Sequence, residues 1–120
     1  MFDWKNFLKL ASDLSTKGDE ASARTAISRA YYASFHCARA WFEQKRQKTF
    51  PPDGRAHKDV WDAYSDEPTQ QFRNIGQTGE RLKVLRTKAD YRESFPNISV
   101  ELRKALEWAT KIDREVPKLP

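Results

Sequence analysis

Residues 19–47 contain neither glycine nor proline, and this unbroken stretch constrains the fold more than any other feature of the chain. At about 100° per residue, Ile27, Tyr31, Ser34, Phe35, Ala38, Trp41 and Phe42 fall on one face of a single long helix. Gly18 closes the segment before it, and Asp19 supplies a start signal. At the far end, Lys45, Arg46 and Lys48 complement the negative end of the helix dipole.

The flanking segments repeat the helical period. Trp4, Phe7, Leu8, Ala11 and Leu14 mark a helix over residues 3–16, with Asp3 as its N-cap. Phe50-Pro-Pro-Asp-Gly54 breaks the chain, because Pro51 and Pro52 cannot continue a helix and Asp53-Gly54 suits a turn. A short helix follows from about His57 to Tyr64, and Ser65-Asp-Glu-Pro68 breaks it.

Phe72, Ile75, Leu82, Leu85 and Ala89 then define a helix from about Gln70 to Tyr91. Gly76 and Gly79 lie on or beside that face. They allow either close approach of a neighbouring helix or a flexible join. A last helix, 97–115, carries Leu102, Ala105, Leu106, Ala109, Ile112 and Val116, with Pro117 and Pro120 ending it. No segment alternates as a strand would. The pattern predicts an all-α fold: one domain, residues 1–120, built as an antiparallel up-and-down four-helix bundle with an additional short helix.

Composition narrows the class. The 120 residues are 38% hydrophobic and 32% charged, but four Trp, four Tyr and seven Phe supply bulky core material. A domain of this size folds alone, and a surplus apolar face would favour a homodimer. Cys37 is the only cysteine, which excludes an internal disulfide and a cysteine-based zinc site. The N-terminus lacks a signal-peptide layout and no apolar run would span a membrane, so a cytoplasmic protein is expected. The net charge of +5 permits RNA or an acidic protein as partner; a soluble basic surface is the plainer alternative.

On the long helix, Thr25, Arg29, Tyr32 and His36 lie opposite the apolar stripe, within an arc of about 60°. Arg29, Tyr32 and His36 stand at i, i+3 and i+7, so they project from one strip. An arginine fork holds a phosphate, a histidine moves a proton near neutral pH, and a tyrosine stacks on a base or donates a hydrogen bond. The competing reading is a packing seam, since Ala26, Ala30, Ala33 and Ala40 border the strip.

A second constellation is Arg86-Thr-Lys-Ala-Asp90-Tyr91. Arg86 falls inside the apolar stripe between Leu82 and Ala89, where a charge must be paired, either with Asp90 or with a phosphate that Asp90 helps to orient. His57 reads as a helix-start or surface residue. The spacing of the two histidines offers no metal site, no glycine loop fits a cofactor phosphate, and no cofactor is expected.

Two segments, Arg24-Thr-Ala-Ile-Ser-Arg-Ala-Tyr-Tyr-Ala-Ser-Phe-His36 and Leu85-Arg-Thr-Lys-Ala-Asp-Tyr-Arg92, resemble the HEPN superfamily of small helical bundles, and the order of helices agrees along nearly the whole chain. The resemblance implies a homodimer of four- or five-helix bundles. It also implies one of two activities. One is a metal-independent endoribonuclease, often a toxin or antiphage effector. The other is an inactive RNA- or nucleotide-binding module, commonly partnered with a small nucleotidyltransferase.

The family's ribonuclease motif is an Arg, four to six residues, then a His; Arg29 and His36 match that spacing. In nuclease members the motif sits on a later helix, where this chain has Arg86 and, in place of a His, Asp90. The resemblance therefore casts Arg29, His36 and Arg86 as catalytic residues, and Tyr32, Asp90 and Tyr91 as substrate-binding ones.

Overall fold

The computed structural model describes all 120 residues, Met1–Pro120, and every regular element in it is helical. Five α-helices follow in order: α1 (Lys5–Leu14), α2 (Glu20–Lys45), α3 (Arg55–Ser65), α4 (Gln70–Tyr91) and α5 (Ile98–Glu115). A 3₁₀ turn, Val116–Lys118, continues α5. Pro117 therefore tightens the end of the helix rather than stopping it outright, since its fixed φ suits the first turn of a helix. No helix is long and apolar enough to cross a membrane.

The long glycine-free stretch forms the axis of the molecule. At 1.5 Å per residue the 26 residues of α2 rise about 39 Å, close to the 41 Å long dimension of the whole chain. Asp19 caps it, its carboxylate accepting from the Ser22 backbone N–H at 2.9 Å. Helices α1, α3, α4 and α5 all pack against α2.

This central position corrects the two-faced reading of α2. Ala26, Ala30 and Ala33 are buried as well as Ile27, Tyr31, Phe35 and Phe42, so α2 is covered on more than one side. The Arg29–His36 strip is half-buried rather than turned to water.

The core joins aromatic rings from three helices. Trp61, Tyr31 and Tyr64 are fully buried, and the Tyr64 hydroxyl donates to the Ala38 carbonyl at 2.8 Å. Gly76 and Gly79 do not interrupt α4. They face α3, where a Cβ at Gly79 would collide with the Trp61 ring and one at Gly76 with Ser65. The close-approach reading holds because the missing side chains let the α3 backbone and its tryptophan sit against α4.

The end of α4 is held by Arg24. Its guanidinium donates to the carbonyls of Ala89 (3.0 Å), Arg92 and Glu93 (2.9 Å), and pairs with Glu20 at 2.9 Å. The Ala89 carbonyl is an orphan acceptor in the last turn of α4, and those of Arg92 and Glu93 lie at its cap and just beyond. Asp3 is one residue away from its expected role: Trp4 occupies the N-cap of α1, and the Asp3 carboxylate accepts from the Lys5 backbone N–H at 3.0 Å.

Candidate anion-binding cluster

Helix α2 and helix α4 meet so that Arg86 lies over the rings of Tyr31 and Tyr32, at 5.2 and 5.5 Å from their centroids. Its Nη1 stands 3.7 Å from Asp90 Oδ2. That is an ion pair, but too long for a hydrogen bond. Ser28 Oγ donates to the same Asp90 oxygen at 3.3 Å, and Arg29 Nη2 donates to Ser28 Oγ at 3.3 Å. A chain of polar groups thus runs Arg86, Asp90, Ser28, Arg29 along the α2–α4 seam.

Arg86 is the anomaly within this chain. It is 9% exposed, and its Nε is buried with no acceptor. Leaving a buried guanidinium N–H unsatisfied costs about 1–3 kcal/mol or more. Stacking over two tyrosine faces offsets part of that cost.

The histidines sit on either side of Phe35. His36 lies against Trp4 with ring centroids 3.5 Å apart, and edge-on to Phe35 at 5.2 Å. Burial, reinforced by Arg39 and His57, pushes its pKa down to about 4, so it is neutral at pH 7. As a neutral imidazole it can accept a proton but has none to spare as a general acid. Arg29 is covered in a similar way, with Phe7 at 4.7 Å and Tyr32 at 5.0 Å from its guanidinium.

His57 is not a surface residue. It is half-buried, stacked on Phe35 at 4.3 Å, and its Nδ1 lies 2.7 Å from the Tyr31 hydroxyl. Burial, with Arg86, Lys83 and Arg39 nearby, holds its pKa below the usual imidazole value. The sequence does carry the signal: His57, Val60, Trp61 and Tyr64 are spaced i, i+3, i+4, i+7, which places His57 on the apolar face of α3.

The fold therefore brings Arg29, Tyr32, Arg86 and Asp90 to one seam. His36 lies at its α1 side, 6.3 Å from the Tyr32 ring. Tyr91 stands apart, 75% exposed at the end of α4. A surface cavity of about 260 Å³ lies elsewhere, between α4 and α5, lined by Asn74, Thr78, Lys111 and Glu115 among others. No three His, Cys, Asp or Glu side chains converge in a way that could hold a metal ion. Cys37 is a poor nucleophile, because burial pushes its thiol up to about 11.

No family model matches the chain, and neither any curated protein nor any solved structure matches it.

Proposed function

We propose that this chain is a HEPN-type bundle, with α1, α2, α4 and α5 running up and down and α3 added. In this reading it acts as a homodimer that binds RNA or a nucleotide through the Arg86 cluster. The observation that carries the reading is the buried Arg86 Nε with no acceptor, beside a second arginine and two tyrosine rings. A phosphate oxygen supplies the missing acceptor, and an arginine fork suits phosphate geometry. Tyr32 then stacks on or hydrogen-bonds to the ligand, and Asp90 orients Arg86.

The enzymatic form of this proposal is a degenerate, metal-independent endoribonuclease. Arg29 or Arg86 holds the scissile phosphate, His36 accepts a proton from the 2′-hydroxyl, and Tyr32 and Tyr91 position the RNA. The low pKa of His36 makes it a weak base and removes it as the acid, which favours binding over turnover.

A second reading is a non-enzymatic subunit that docks a small nucleotidyltransferase in a toxin–antitoxin-like pair. The cover of Trp4 over His36 and of Phe7 over Arg29 favours it.

The test measures RNA binding and RNA cleavage in EDTA for wild type, Arg86→Met and His36→Ala. Binding lost in Arg86→Met without loss of stability supports the anion site. Cleavage at equal rates by wild type and His36→Ala removes His36 from the chemistry. If wild type neither binds nor cleaves RNA, the interaction-subunit reading takes its place.

A further inference from the structure

Trp61, Tyr31 and His57 form a relay that ends at an open nitrogen. Trp61 Nε1–H donates to the Tyr31 hydroxyl at 3.1 Å, and that hydroxyl lies 2.7 Å from His57 Nδ1. Trp61 and Tyr31 are fully buried, so every proton in the relay needs a partner. An indole N–H can only donate. Tyr31 therefore accepts from Trp61, and its own hydroxyl proton has one acceptor in reach, His57 Nδ1. The reverse polarity, with Nδ1–H donating to Tyr31, would leave the buried phenol proton unpaired.

With Nδ1 accepting, a neutral His57 carries its proton on Nε2. That atom has no hydrogen-bond partner and is not sealed from solvent. The imidazole and the Arg86 guanidinium pack about the same two rings. His57 is 5.6 Å from the Tyr31 ring and 5.8 Å from Tyr32, edge-on to the latter.

We infer that His57 Nε2–H is a fixed, neutral donor for the same anionic ligand that Arg86 holds, an RNA strand, with its tautomer set by Trp61 through Tyr31. The inference rests on the anion-site reading of Arg86 and adds a residue on a third helix to it. A neutral donor is useful here because it does not depend on protonation. The groups around the imidazole are Tyr31, Tyr32, His36 and Arg39 from α2 and Lys83 and Arg86 from α4. Burial, with Arg86, Lys83 and Arg39, favours the neutral imidazole over the charged one.

Two measurements test this. Imidazole ¹⁵N shifts at pH 7 read which nitrogen of His57 carries the proton, without any ligand. Wild type should show Nε2–H, and Tyr31→Phe should show a mixture. A wild-type Nδ1–H tautomer overturns the inference. The second measurement is affinity for a labelled single-stranded RNA. His57→Phe should weaken binding by about fivefold to tenfold, as the loss of one hydrogen bond would. His57→Gln places an amide donor near the Nε2 position and should restore binding to within about threefold. Equal binding by wild type and His57→Phe overturns the role of His57 while leaving Arg86 in place. Failure of wild type to bind RNA overturns the anion site, and the inference with it.

Discussion

The indole of Trp4 lies on the imidazole of His36, with ring centroids 3.5 Å apart and planes 12° from parallel. The stack ties α1 to α2, and it explains why a polar strip on α2 is half-buried. It also sets the charge of His36, since burial is the largest cause of its low pKa. Trp4→Ala should therefore raise the His36 pKa from about 4 towards the ordinary 6.5. An NMR titration of the imidazole protons reads this directly. A pKa unchanged by the substitution would mean that Arg39 and His57, not the indole, hold the ring neutral.

Both histidines have folded-state pKa values below their ordinary value. Protonation then favours the unfolded chain. Stability from these groups is fully present above about pH 6.5 and is lost as pH falls towards about 4, the folded value of His36. Urea unfolding across this window should show a falling midpoint. Replacing both histidines with glutamine should flatten the part of the slope that they cause.

The α3–α4 contact makes opposite predictions for two glycines. Gly79→Ala should destabilise the fold by about 1–3 kcal/mol, because the methyl would collide with the buried Trp61 ring. Gly54→Ala meets nothing within 4 Å and has ordinary helical dihedrals, so it should be neutral or stabilise by up to about 1 kcal/mol. Thermal melts of the two variants decide the matter, and equal shifts would refute the contact.

Arg24 should contribute to stability through its hold on the end of α4. Arg24→Ala removes the donors that satisfy the Ala89, Arg92 and Glu93 carbonyls and should cost about 1–3 kcal/mol. Arg24→Lys should recover little, because a single ammonium cannot reproduce the planar fork. Hydrogen exchange at the last turn of α4 should speed up in both variants, and an unchanged rate there would remove the clasp.

Much of the fold is legible in the sequence because helix periodicity and breakers are local. Residues 70–91 form one helix with the expected ends, Asp19 caps α2, and Pro51–Gly54 breaks the chain before α3. The placement of Arg86 on an apolar face was equally legible, since an i, i+3, i+7 pattern fixes angle around an axis. Periodicity also placed His57 beside Val60, Trp61 and Tyr64, but a short helix after a double proline is easily taken for surface.

Tertiary structure alone decided which faces meet. A pattern along one helix cannot say that α1 will cover the strip opposite the apolar stripe, so the Trp4–His36 stack had no sequence signal. Nor could it show that Gly79 admits an indole, or that a tryptophan 30 residues from Tyr31 donates to its hydroxyl. The long glycine-free stretch determined that there would be one long rod. The packing of the other helices on more than one of its sides decided which of its polar residues stay exposed, because burial and hydrogen-bond partners are properties of contacts between elements.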